Sequence, residues 1–200
     1  MAKRLLAGLT PMLLVAASMT IPAAAQAEPI VHWFSDGKLI TGQPVTVKTS
    51  GSLTFDLTQF GAMVTCKVKD IETISNPASG GPGVDEMLTF RLSGCSTPVG
   101  GTKLCPGKIE VIALGLPWHS HLAVLPPAPG IRDVLEGVAI EIRCKKGKSY
   151  VFAGNLSPQV GFSVLEFEGG AGLSGEFGTV TVTGKDMLKG PAGDKTITAA

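Results

Sequence analysis

Past its first two dozen residues the chain contains no apolar run of the roughly 20 residues that a membrane-spanning helix needs. It also lacks any stretch of eleven or more residues with a helical apolar period between capping signals, so helix is expected to be minor. Charge is scarce, at 16% of residues, and acids and bases nearly balance, with a formal net charge of +1 for the whole chain and −1 once the leader is gone. Nucleic acid and anionic membrane are therefore poor candidate partners, since both call for a concentrated positive field. There is no C-x-x-C to suggest a zinc ribbon. There is no G-x-S-x-G nucleophile elbow either, because Ser174 lies in Leu173-Ser174-Gly175-Glu176. No motif specifies a reaction or a cofactor, so neither an enzyme nor a cofactor is expected.

What is present begins with an address. Lys3 and Arg4 precede an apolar stretch from Leu5 to Ala25, which closes on the small-residue pattern Ala25-Gln26-Ala27. That order fits a signal peptide: a charge held inside, a membrane-soluble core, then small side chains for the peptidase pocket. Pro11 and Pro22 interrupt the stretch and no basic residue follows it, which argues against a retained anchor. The expectation is cleavage near Ala27, a mature chain from Glu28, and a location outside the cell or in its envelope. Losing Lys3 and Arg4 from the 17 basic residues leaves 15 against 16 acids, a formal charge of −1. About 173 residues remain, enough for one core. The division expected is 1–27 signal peptide, 28–189 single domain and 190–200 a small, polar tail that frays.

The mature chain alternates apolar and polar residues, which places one set of side chains on each face of a pleated strand. Leu53, Phe55 and Leu57 are one such set; Val64, Cys66 and Val68 another. Leu88, Phe90 and Leu92, then Val138, Ile140, Ile142 and Cys144, then Val180 and Val182, repeat the pattern. Reversals are expected at Asp36-Gly37, Ser50-Gly51, Asn76-Pro77, Gly80 to Gly83, Pro126-Pro127, Lys146-Gly147 and Gly169-Gly170. About ten strands at this spacing predict an all-β fold, an antiparallel immunoglobulin-like sandwich or a related barrel.

Four cysteines in an exported chain make two disulfides. Cys66 and Cys144 share the inward phase of their strands, and Cys95 and Cys105 bound a Gly- and Pro-containing loop. The predicted bridges are Cys66–Cys144 and Cys95–Cys105.

The best chemical signal is Trp118-His119-Ser120-His121. In an extended segment His119 and His121 point the same way about 6 to 7 Å apart, as two imidazoles of one metal shell would. A third ligand would have to come through the fold from His32, Asp133 or Glu136. Gly170-Ala171-Gly172-Leu173-Ser174-Gly175 matches the dinucleotide fingerprint, but Gly178 and a Thr/Val alternation follow where a helix should open. A glycine-rich hairpin is the expected structure. Glu166 and Glu168 could share a strand face. Trp33 and Trp118 are candidate binding residues by their aromatic faces and core candidates by their area.

Several of these segments together resemble a group of uncharacterised exported proteins of high-GC Gram-positive (actinobacterial) soil bacteria. They are His32-Trp33-Phe34, Val64-Thr65-Cys66, Asn76-Pro77 with its glycine loop, Leu116-Pro117-Trp118, Ile142-Arg143-Cys144, and Leu165-Glu166-Phe167 through to Val180-Thr181-Val182-Thr183-Gly184. The resemblance implies a secreted β-rich fold with paired cysteines and no particular activity. The function expected is therefore non-enzymatic, structural or binding a surface partner. A small-ligand barrel lined by residues such as Phe152, Leu165 and Phe167 is the alternative, followed by a metal enzyme using His119 and His121.

Overall fold

The computed structural model describes residues 29–97, 104, 105, 107–125, 130–190, 193 and 195–200. The expected signal peptide and the Pro126-Pro127 reversal lie outside them.

Eight strands close into an antiparallel barrel. They are β3 (Val45–Leu57), β4 (Ala62–Ser75), β5 (Val84–Ser96), β7 (Trp118–Leu125), β8 (Gly130–Cys144), β9 (Ser149–Leu156), β11 (Val164–Gly175) and β12 (Gly178–Lys189). Each pairs with the next in that order, and β12 pairs back onto β3. The seam between β9 and β11 closes at Ala153 opposite Ser174. β6 (Ile109–Leu114) continues the line of β7 along β8, and β10 (Gln159–Val160) does the same for β9. Of the two architectures that the alternation permits, the barrel is the one formed.

A second, three-stranded sheet joins β1 (Trp33–Ser35), β2 (Lys38–Leu39) and β13 (Ile197–Ala199). Asp36 and Gly37 turn β1 into β2 with φ of 50° and 70°, the left-handed pair that a two-residue hairpin requires. β13 corrects the expectation of a frayed tail. Ile197 is fully buried, and Trp33 and Ala199 are paired, because the last residues supply the edge that β1 lacks.

The inward sets are those the alternation predicts, with one exception. Leu53, Phe55, Leu57, Val64, Cys66, Val68, Val138, Ile140, Ile142, Val180 and Val182 are all buried. Leu88 instead faces out, because Ile71 pairs with Thr89 while Glu72 pairs with Met87, so Leu88 is the extra residue of a bulge. Two expected reversals are also corrected. Gly51 sits mid-strand in β3, where a Cβ would meet the backbone oxygen of Lys185 on β12. Gly169 lies within β11 at a register shift, with φ of 79°. Glycine at these two sites serves close approach and bulging, not chain reversal.

The bridges are Cys66–Cys95 and Cys105–Cys144, which corrects the predicted pairing. Cys66 and Cys144 do both face inward, but β4 and β8 are not neighbours in the barrel. Opposite Cys66 the register jumps from Ser93 to Ser96, and this bulge brings Cys95 to it. Cys144 pairs across with Ile109, so Cys105, four residues upstream, reaches it instead. By loop-closure entropy each bridge contributes about 3–4 kcal/mol.

Candidate functional site

The polar interest of the molecule lies at one end of the barrel, where six strands put polar side chains on the inner face. β12 places Asp186 there, β3 Thr49, β4 Asp70 and Glu72, β5 Asp85, β7 Ser120 and β8 Asp133, all buried. Glu72 is 1% exposed and Asp133 is 0% exposed. No Lys, Arg or His is buried among the described residues. Five carboxyls thus share a water-poor space with no base, which is costly unless something neutralises them.

Two of the acids meet at Thr49. Its hydroxyl contacts Asp70 Oδ1 and lies 2.7 Å from Asp186 Oδ2. One hydroxyl proton serves only one of these contacts, so the other must be donated by a carboxylic acid. At least one of the two carboxyls therefore keeps its proton when both contacts are made. Across the barrel, the Ser120 hydroxyl donates to Asp133 Oδ1 at 2.5 Å. Asp85 lies close enough to Asp133 and Ser120 to feel both, yet neither of its oxygens has a partner in hydrogen-bond geometry. Glu72 Oε2, Asp133 Oδ2 and Asp186 Oδ1 are also without partners.

Burial is the first cause of the electrostatic response and like charge the second. Burial, then Asp186, push the Asp70 carboxyl up to about 8. Glu72 is held well above the ordinary carboxyl range by burial and then by Asp85, Asp70, Asp133 and Asp186, and Asp133 by burial and then Asp85. Asp85 and Asp186 are raised by burial against hydrogen bonds that lower them. Glu72 feels all four other acids.

On four of these strands a patch of the outer face has the opposite sign. Across β12, β3, β4 and β5 one row reads Lys189, Lys48, Ile71, Thr89; the next Met187, Ser50, Lys69, Arg91; the third Lys185, Ser52, Lys67, Ser93. Six of these twelve side chains are cationic and none is acidic. Neighbouring rows are about 7 Å apart and strands about 4.8 Å apart. Lys48, Lys67, Lys69, Arg91 and Lys189 make no ion pair among the described residues, while Lys185 reaches Glu166 on β11 at 2.5 Å. Lys48, Lys69 and Arg91 line an open groove of about 340 Å³ with Ile71 and Thr89, and Thr49 and Asp70 also border it.

The residues singled out by sequence fall elsewhere. His119 and His121 do share an outward face of β7, and His121 Nδ1 lies 3.7 Å from Glu136 Oε1. Asp133 is on the inner face and cannot join them, which corrects its place as a third ligand. His32 is tied at the chain end by its backbone to Ala200. Among the described residues no group of three or more His, Cys, Asp or Glu stands as a ready metal shell. Both tryptophans are buried, which corrects their reading as binding faces. Trp33 is 1% exposed, and Trp118 packs on Phe90 at 5.2 Å and donates its indole N–H to Leu114 O at 2.9 Å. Phe152, Leu165 and Phe167 point into the barrel and are buried. Glu166 and Glu168 face out and pair with Lys185 and Arg132. The glycine fingerprint is the expected hairpin, β11 turning into β12 between Gly175 and Gly178.

Sequence reasoning passed over Asp70, Glu72, Asp85 and Asp186. The signal was there: Val64, Cys66, Val68, Asp70, Glu72 and Ile74 keep a single phase, as do Val180, Val182, Asp186 and Leu188. Following the apolar phase through the acids, instead of stopping at them, puts them inside.

No protein-family model matches this chain, and neither a curated protein nor a solved structure does. No helix among the described residues is long and apolar enough to cross a membrane.

Proposed function

We propose that the chain is an exported, non-enzymatic binding protein whose outer basic face holds an acidic glycan. The observation that carries this reading is the grid of six cations without an acid on β12, β3, β4 and β5. Lys189 stands directly opposite Lys48, and Lys69 opposite Arg91. Like charges placed so destabilise a sheet, and an anionic partner turns that cost into attraction. Formal charge conceals this face. Five of the 16 acids are buried inside, leaving at most 11 for the surface against 17 Lys and Arg, or 15 without Lys3 and Arg4.

The chemistry of the face favours a glycan among polyanions. Ser50, Ser52, Thr89 and Ser93 alternate with the cations and can hydrogen-bond sugar hydroxyls. The grid carries no aromatic side chain on which nucleic-acid bases would stack. Its cations are five Lys and one Arg, compact charges suited to anionic groups spread along a polymer. Export is supported by the leader-like first residues and by the two disulfides, which persist in oxidising compartments.

Binding to a sulfated glycan and to a polyuronate at low salt, with neutral dextran and single-stranded DNA as comparisons, tests the proposal. Tight binding to the acidic glycans should weaken by about tenfold or more at several-fold higher salt. It should also weaken in Lys48→Glu/Lys69→Glu/Arg91→Glu, and survive Lys108→Glu/Lys145→Glu at another part of the barrel. Binding that withstands the triple reversal, or that prefers DNA, rules the reading out.

A further inference from the structure

The acid belt inside the barrel needs positive charge that the chain itself does not supply. Its donor set is entirely oxygen: five carboxyls, with the hydroxyls of Thr49 and Ser120. Five carboxyl oxygens have no partner, and they belong to Glu72, Asp85, Asp133 and Asp186. Glu72 matters most here. It is 1% exposed, it shares the inward phase of β4 with Asp70 on one side and with Ile74, the partner of Asp85 on β5, on the other, and one of its oxygens is unsatisfied. A pair of acids can share a proton between them, but an additional carboxyl between two such pairs has no neutral partner left to share with. Oxygen-only sets select hard cations, not zinc or copper.

We propose that the acid end of the barrel is a binding site for a calcium-class divalent cation, centred on Asp85, Glu72 and Asp133. Asp85 has no partner in hydrogen-bond geometry for either oxygen but lies beside Asp133 and Ser120, so it can turn its carboxylate to an ion that Asp133 also reaches. Ser120 orients Asp133 by its 2.5 Å bond, and Asp70, Thr49 and Asp186 form the adjoining wall. No three carboxyls yet surround one point at ligating distance, so the ion must draw them together and displace the protons they hold. Uptake therefore releases protons to the solvent.

The groups that face the site from each strand set its pH dependence. β3 and β7 present the neutral Thr49 and Ser120; β4 presents Asp70 and Glu72, β5 Asp85, β8 Asp133 and β12 Asp186. Leu156 of β9 and Leu165 of β11 are the inward residues paired beside Leu135 and Asp186. His119, on the outer side of β7, is the base whose charge reaches Asp85. Nothing else titratable faces the belt among the described residues.

The test uses the oxidised full-length chain, stripped with EDTA and titrated with calcium chloride alone. Calorimetry at about pH 8 in two buffers of different ionisation heat counts the protons released, and thermal melts follow at about pH 8 and about pH 4.5. Calcium should raise the melting temperature by several degrees at the higher pH and release at least one proton. The shift should vanish at the lower pH, where the carboxyls stay protonated. Glu72→Gln and Asp85→Asn each put a neutral amide of the same shape in place of a buried carboxyl and so should fold, and each should weaken calcium binding by about tenfold or more. If calcium does no more than sodium chloride of equal ionic strength to natively folded protein at about pH 8, protons alone neutralise the belt and the site is refuted. Unaltered calcium binding in both variants refutes it equally. Neither result bears on the glycan face, whose cations lie on the far side of the same strands.

Discussion

Lys48-Thr49, Lys69-Asp70 and Lys185-Asp186 are neighbours in sequence and opposites in space. In each pair the pleat sends the cation out to solvent and the polar or acidic residue into the barrel. Linear charge counting lets each Lys-Asp pair cancel. The sheet separates them by its own thickness, so that none of these carboxyls makes an ion pair with its neighbour. One set of strands thereby carries an acidic interior and a basic exterior. The two differ in dielectric surroundings: the inner charges are stripped of water and interact strongly, while the outer ones are screened.

That difference gives its largest measurable effect with pH. The unfolded chain sheds its carboxyl protons near pH 4, whereas the native belt retains them to higher pH, about 8 in the case of Asp70. The stability linked to these groups is therefore complete below about pH 4 and is lost as pH rises through the native values. Each proton that the native state keeps and the unfolded state has lost is worth about 1.4 kcal/mol per pH unit. Urea unfolding in EDTA should give a midpoint that climbs steadily from about pH 8 to about pH 5. A midpoint that is flat or falls over this range would show that the acids are ionised in the native state.

Asp133→Asn isolates one member. The amide oxygen can still accept from Ser120, and the substitution removes a charge at a site that is 0% exposed. Stability at about pH 8 without metal should rise by about 2 kcal/mol, and the slope with pH should become shallower by up to one proton. At about pH 4.5, where the aspartic acid is already neutral, the two proteins should unfold within about 0.5 kcal/mol of one another. A variant less stable at both pH values would mean that the carboxyl has a structural partner besides Ser120.

Most of the fold was legible because period two is a local signal. Leu53 to Leu57 or Val138 to Cys144 need only their own strand to be read. Which strands become neighbours is not local. The predicted bridges fail because Cys66 and Cys144 share a phase on strands that are not neighbours in the barrel, and because the bulge bringing Cys95 opposite Cys66 is invisible without the partner strand. Likewise Gly51 reads as a reversal until β12 is seen to pack against it. The acid belt failed for another reason: Asp70 and Glu72 have the inward phase of Val64 to Val68, but an acid is taken for an outward residue because burial is costly to it. The outer grid was hidden by being spread over four strands, with its rows assembled only by the register.

The outer face should respond least in stability and most in binding. Arg91 and Lys69 stand directly across from each other and repel. Arg91→Glu puts an acid opposite Lys69 and converts repulsion to attraction, a gain of a few tenths of a kcal/mol at low salt. The gain should fade as salt screens both charges, and unlike the effect of Asp133→Asn it should keep the same size between about pH 6 and about pH 8. The same substitution takes two charges from the groove that the glycan reading relies on, so acidic glycan should bind more weakly to the more stable protein. A variant that is both less stable and weaker in binding would point to lost packing by the long Arg91 side chain, whereas opposite signs would identify the face as one whose charges are arranged for a partner at the expense of the sheet.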